Sequence, residues 1–250
     1  MPDWELLQRL RVEEREPFEG WDFSHLEGRM HEESPSWNYG CIVRKTLSGC
    51  DSLLDMGTGG GEFLSELAPL PADTHATEGY APNVPVAQAK LEPLGVRVHE
   101  IGDDRLPLSD ESFDLVINRH ESYDPAEVRR VLRPGGRFIT QQVGGRNDLD
   151  LNELLAAPNP DFGMSHWDLP CARMELEAVG FAVIEAAQEF PLTRFSDVDA
   201  IVLYLKSVPW QIPDFAVDLY LDRLKMLENR IRNEGSIAIR GHRFFLVSEK

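Results

Sequence analysis

The stretch that most constrains this chain runs from Leu53 to Leu67. An apolar pair, Leu53-Leu54, leads into Asp55-Met56, breaks into Gly57-Thr58-Gly59-Gly60-Gly61, and resumes as Glu62-Phe63-Leu64-Ser65-Glu66-Leu67 at helical spacing. Ser52–Met56 reads as a short buried strand, the glycines as a tight turn and the rest as a helix. Glycine permits positive φ and lets backbone amides approach a ligand where a Cβ would collide, and the helix adds its positive end. A dinucleotide fingerprint, G-x-G-x-x-G, does not fit: starting at Gly57 puts Glu62 at the last glycine, and starting at Gly59 puts Leu64 there.

The alternation continues downstream. His75–Glu78 and Val96–Ile101 read as strands around a helix from Pro85 to about Leu94, and Phe113–Asn118 as a deeply buried strand. Asp124-Pro125-Ala126-Glu127 combines an N-cap acceptor, proline at the first helical position and glutamate at the third, so a helix starts there. Arg133-Pro134-Gly135-Gly136 stops it, and Arg137–Val143 begins a fifth strand. Strands alternating with helices predict an α/β fold, a mainly parallel sheet covered on both faces, with ligands bound outside the carboxyl ends of its strands. Phe181–Ala186 reads as a further strand, two helical segments follow at Ser196–Ser207 and Pro213–Asn233, and Ser236–Ser248 reads as one final strand. The expected organisation is an N-terminal helical or loop segment, 1–50, packing over the site, then one domain, 51–250, with a helical insertion at about 196–234. That insertion is read either as packing against the sheet or a twin subunit, or as a lid.

With 250 residues and 42% hydrophobic content, the chain is long enough for one sizeable α/β domain. Its net charge of −18 repels phosphate backbones, so no nucleic-acid partner is expected. No stretch approaches the roughly 20 apolar residues of a membrane span, and Met1–Glu14 is too charged for a signal peptide, so the expected compartment is the cytoplasm with no membrane partner. Cys41, Cys50 and Cys171 match neither a zinc site nor a disulfide framework, and no metal site is expected. The sequence leaves the oligomeric state open.

With glycine at every second position after Asp55 (Gly57, Gly59, Gly61), the turn resembles motif I of the class I S-adenosylmethionine-dependent methyltransferases, with a methyltransferase type 11-like domain. Gly102-Asp103-Asp104-Arg105-Leu106-Pro107 looks like that family's adenine-framing segment, and Ser112–Ile117 and Val131–Phe138 look like its fourth strand and post-helix turn. The resemblance covers about Ser52 to Val143. It implies a Rossmann-like doubly wound sheet of seven strands in the order 3-2-1-4-5-7-6, the last antiparallel. It also implies S-adenosylmethionine as the cofactor, held by Asp55, Gly57, Thr58, Gly59, Gly61, Glu78, Gly79, Asp103, Asp104 and Asn118. Glu78, ending the second strand, would grip the ribose hydroxyls through contacts of about 1.5–3 kcal/mol each. Asp55 would orient the methionine ammonium or else bond to the turn's own amides. Asp103 and Asp104 could exchange their adenine roles.

The expected acceptor is a small molecule, with RNA, a protein, or a non-catalytic cofactor-binding role as alternatives. Asn118-Arg119-His120-Glu121-Ser122-Tyr123 follows the fourth strand and departs from the Asn/Asp-Pro-Pro-aromatic pattern of base methyltransferases. His120 and Glu121 are the candidate catalytic pair: His120 as a base near neutral pH, with Glu121 orienting it, or His120 merely packing. Alternation points only one of Gln141 and Gln142 inward. Trp37, Tyr39 and His166-Trp167 are either aromatic walls of the site or core.

Overall fold

A computed structural model describes residues 3–15, 24–102, 105–160 and 166–250. In chain order its elements are α1 (Asp3–Arg15), β1 (Met30–Glu32), α2 (Tyr39–Leu47), β2 (Ser52–Met56), α3 (Glu62–Glu66), β3 (Asp73–Glu78), α4 (Val84–Leu91), β4 (Arg97–Glu100), β5 (Phe113–Arg119), α5 (Pro125–Val131) and β6 (Leu132–Val143). There follow α6 (Leu149–Leu155), α7 (Leu169–Ala178), β7 (Ala182–Glu189), β8 (Leu192–Phe195), α8 (Val198–Ser207), α9 (Val217–Glu234), β9 (Ile237–Arg240) and β10 (Arg243–Glu249). The chain divides into two compact units, residues 36–144, 167–189 and 243–250 in one, and 1–35, 145–166 and 190–242 in the other.

The first unit holds a seven-stranded sheet in the order β4-β3-β2-β5-β6-β10-β7. Counted along the chain within that sheet, this is 3-2-1-4-5-7-6, a Rossmann-like doubly wound fold. β2 pairs in parallel with β3 and β5, whereas β10 runs antiparallel to both β6 and β7. Side-chain alternation sorts the core into two layers. Leu53, Leu115, Ile117, Ile139, Phe245 and Val247 face Tyr39, Val43 and Leu47 of α2. Leu54, Met56, Val116, Phe138, Phe244 and Leu246 face Val128 and Val131 of α5 and Ala172 and Leu176 of α7. Covered on both sides, β2 is buried at every position, Ser52 and Asp55 included, and so shows no apolar-polar alternation. The helices start where the sequence supplies side-chain acceptors: Asn38 accepts from Cys41 N, Asp124 from Ala126 N ahead of Pro125, and Asp168 from Cys171 N.

The other unit holds a three-stranded antiparallel sheet, β1-β8-β9, and the helices α1, α6, α8 and α9 around a core that includes Leu10, Leu151, Phe195, Ile201, Leu224 and Ile239. Asp197 caps α8, and Gly235, at φ 86°, ends α9. Two expectations are corrected here. The stretch Ser236–Ser248 is not one strand: Gly241-His242 separates β9, in the small sheet, from β10, in the large one. The first fifty residues also contain a strand, β1, three residues long and too short to show a period. Among the described residues no helix is long and apolar enough to cross a membrane.

Candidate functional site

The carboxyl ends of β2, β3, β5 and β6 lie side by side in the first unit. Gly57, Gly59 and Gly61 follow β2 with φ of 68°, 62° and 81°, a region that only glycine enters freely. Their surroundings differ. A Cβ on Gly61 would stand 2.7 Å from Leu91 Cγ, and Gly57 is packed under Glu121, whereas a Cβ on Gly59 would meet nothing within 4 Å. Gly57 and Gly61 are therefore glycine for the protein's own packing, while the turn is open over Gly59. Thr58 ties the turn to β3 by donating its N–H to Thr77 O at 2.9 Å. The helical dipole contributes less than the sequence suggests, because α3 spans only Glu62–Glu66.

Two buried carboxylates flank this opening. Burial pushes the Asp55 carboxyl up to about 7, with the charge of Glu78 adding to the shift and Thr58 and Arg119 opposing it. Glu78 ends β3, is 5% exposed, and accepts a hydrogen bond from Tyr80 N through Oε1 at 2.7 Å. Gly79 follows, with Ile101 O 3.7 Å from where a Cβ would stand. Asp103 and Asp104 lie outside the described residues. Two acids desolvated beside an open glycine form an environment complementary to a cation, and so fit a sulfonium- and ammonium-bearing cofactor.

Asn118, at the end of β5, is wholly buried. Its Oδ1 accepts from Gln142 Nε2 at 2.6 Å and Thr140 Oγ1 at 3.0 Å, and its carbonyl accepts from the Tyr39 hydroxyl at 2.9 Å. Among the described residues its Nδ2 has no partner. Tyr39 is thus a strut of the sheet rather than a wall of the site, and Trp167, between Tyr123 and Phe244, is core.

His120 takes φ 63°, a conformation histidine tolerates better than most residues, and its N–H donates to Gln141 O at 2.8 Å. Its Nε2 also lies 3.2 Å from Gln141 Nε2, while Trp37 Nε1 donates to Gln141 Oε1 at 2.9 Å. The residue as a whole is exposed. Even so, packing around the ring, together with the cations Arg243 and Arg119, holds the imidazole below the ordinary histidine range. Gln142, on the other face of β6, donates to Glu121 O at 3.0 Å. As alternation expects, the two glutamines take opposite faces of β6; both are buried and bonded, Gln141 to His120 and Gln142 to the Glu121 carbonyl. Arg119, whose guanidinium lies 5.6 Å from the Phe63 ring centre, and Arg243 were not singled out from sequence. Alternation after the fourth strand marks Arg119, but no local signal places Arg243, which arrives from the antiparallel β10.

Comparison with known proteins supplies a family. Residues 54–140 match the model of the family described as a methyltransferase domain. A ubiquinone biosynthesis O-methyltransferase of Sinorhizobium medicae (strain WSM419) is 28% identical over 125 residues, covering 46% of this chain and 50% of the relative. The match thus spans about half the length of that curated relative. A Bacillus halodurans C-125 protein provisionally described as a methyltransferase has the same fold, with a TM-score of 0.61 and 17% identity over 85% of this chain and 98% of that one. So does a protein of unknown function from Deinococcus radiodurans R1, with a TM-score of 0.63 and 13% identity over 98% and 97% of the two chains. With the glycine turn near its start, the matched stretch 54–140, from β2 into β6, is a methyltransferase domain, of the class I, S-adenosylmethionine-dependent type that its motifs resemble.

Proposed function

We propose that the chain transfers a methyl group from S-adenosylmethionine to a small-molecule acceptor. The observation that carries this reading is the open space over Gly59 beside the buried Asp55 and Glu78. The cofactor, when bound, supplies an electrophilic methyl group on a positively charged sulfur. Glu78 binds the ribose hydroxyls through its carboxylate, Asp55 holds the ammonium, and Gly57, Thr58, Gly59 and Gly61 shape the turn beneath the methionine portion. Asn118, Gly79 and, beyond the described residues, Asp103 and Asp104 complete the cofactor set. Catalysis then rests chiefly on alignment, since an in-line displacement at carbon gains most of its rate from holding nucleophile, methyl and sulfur in register. The −18 charge disfavours a polyanionic acceptor, and the O-methyltransferase relative acts in ubiquinone biosynthesis, which favours a small molecule.

Calorimetry with S-adenosylmethionine and NAD, followed by a metabolite screen for S-adenosylhomocysteine release, tests the reading. Binding of S-adenosylmethionine but not NAD, with turnover of at least one metabolite, is expected. Tight NAD binding without S-adenosylmethionine binding overturns it, and cofactor binding with no turnover of any acceptor leaves a non-catalytic binding protein.

A further inference from the structure

The hydrogen bonds around His120 have one consistent direction. Indole Nε1 only donates, so Trp37, 2.9 Å from Gln141 Oε1, fixes that atom as the amide oxygen and turns the amide nitrogen toward His120. A primary amide nitrogen only donates, so His120 Nε2, 3.2 Å away, must be the accepting nitrogen, and the ring proton sits on Nδ1. Among the described residues Nδ1 makes no hydrogen bond. The lone pair a base would use is thus already engaged, and what the ring has left to offer is an N–H.

Resting on the methyltransferase reading, we propose that His120 serves the reaction as a hydrogen-bond donor through Nδ1–H to an acceptor oxygen, not as its general base, with Gln141 and Trp37 as the positioning residues that fix this tautomer. The acceptor class that suits such a site presents a hydrogen-bond-accepting oxygen, carbonyl or phenolic, beside or at the reacting atom. Where the reacting atom is a hydroxyl oxygen, its electron pair makes the new bond to the methyl carbon, the carbon–sulfur pair stays on sulfur, and the hydroxyl proton leaves to solvent water. His120 keeps the same proton throughout. The charged groups around the ring agree: Arg119 at the end of β5 and Arg243 on β10 both disfavour an imidazolium. Glu121, next in the loop, lies against Gly57, and Glu189, opposite Arg243 in register, is bonded to Ser36.

The experiment is two-bond ¹H–¹⁵N NMR of the imidazoles in the full chain, which reads tautomer and titration without any acceptor. Wild-type His120 is expected as the Nδ1–H form, with no titration between about pH 5 and 8. Gln141→Glu replaces the donating amide with an acceptor of nearly equal shape, and should drive a proton onto Nε2 and raise the imidazole pKa above about 6.5. Trp37→Phe frees the amide to flip and should give mixed tautomers. An Nε2–H wild type, or a titration near 6.5 that Gln141→Glu does not move, overturns the proposal. Calorimetric binding of S-adenosylmethionine in the same samples separates this outcome from failure of the methyltransferase reading. With an acceptor in hand, His120→Asn, which keeps a donor and tolerates positive φ, should retain kcat within about tenfold. A pH-independent kcat from pH 5.5 to 8 is expected in wild type, and a rate that follows a histidine titration sinks the idea.

Discussion

Glu121 lies across Gly57 so closely that a Cβ placed on the glycine would stand 2.5 Å from Glu121 Cγ and 2.6 Å from its Cβ. Gly57 joins the cofactor turn to the loop that carries His120. In Gly57→Ala, Glu121 must move off, and a non-glycine residue at φ 68° costs about 1–2 kcal/mol by itself. Truncating Glu121 to alanine removes the 2.5 Å contact with Cγ but keeps the 2.6 Å contact with Cβ, so it relieves the clash in part and leaves the φ strain. Denaturant unfolding of Gly57→Ala, Glu121→Ala and the double variant is expected to show that alanine at 57 costs less in the Glu121→Ala background. Strict additivity would mean the two residues do not press on each other.

Gly59→Val should act differently from Gly57→Ala. Among the described residues no atom beyond the chain neighbours lies within 4 Å of the added Cβ, so the φ penalty is the main cost to the fold, whereas a ligand in that space collides with the side chain. Calorimetry on the folded variant should find S-adenosylmethionine affinity lost by about a hundredfold or more, with unfolding shifted by about 1–2 kcal/mol. Unchanged affinity would show that the cofactor does not approach Gly59.

Glu78→Gln keeps an oxygen for the Tyr80 N–H, so the strand end should survive the change. What disappears is the charge that strengthens contacts to two hydroxyls. A loss of about 1.4–2.8 kcal/mol weakens S-adenosylmethionine binding by about tenfold to a hundredfold. Equal affinity for wild type and variant would remove Glu78 from the ribose.

The parts of this molecule that were legible in advance are those written in local pattern. The turn from Asp55 to Gly61, the caps at Asp124-Pro125 and the buried run of β5 each carry their own signal, and their alternation is enough for a mainly parallel sheet, while the strand order follows from the family resemblance. The Gln141–His120 pair is of another kind. Its meaning depends on Trp37, about a hundred residues earlier, and on the face that a parallel register gives Gln141, neither of which a period of two can specify. The tail from Ser236 failed for the opposite reason: its apolar residues are continuous in kind, and only the bend at Gly241-His242 sends them to different sheets.

On the outer strands, His75 Nδ1 and His99 Nε2 are 2.9 Å apart with their rings stacked, and Arg97 Nη1 donates to His75 Nε2 at 2.7 Å. His75 Nε2 also lies 3.3 Å from Asp73 Oδ1, and only one proton fits between the two facing ring nitrogens, so the contact is lost when both rings are fully protonated. Burial first, then His75 and Arg97, hold the His99 imidazole below its ordinary value. A base depressed in the folded state contributes stability that is complete above the unfolded value, about 6.5, and is lost as pH falls below it. Unfolding free energy should therefore drop between pH 7 and 5 by less in His99→Gln than in wild type. An identical drop in both would acquit the pair.

Asp55 has the opposite sign. Its folded carboxyl stands near 7, against an unfolded value of about 3.9, so between these limits the folded chain holds a proton that the unfolded chain has released. Stability therefore falls as pH rises from about 4 to about 7, and Asp55→Asn should remove that slope and raise stability above pH 7. Binding a cation beside the carboxyl favours its charged form, so S-adenosylmethionine should expel the proton, and its affinity should rise with pH until Asp55 is ionised in the free protein. Calorimetry at about pH 6.5 in buffers of different ionisation enthalpy counts the protons directly. About one half to one proton released per cofactor is expected for wild type, and distinctly fewer for Asp55→Asn, whose affinity should also be lower and flatter in pH. A buffer dependence that is absent in wild type, or the same in Asp55→Asn, would take Asp55 out of contact with the cofactor's charge and leave it as a brace of the glycine turn.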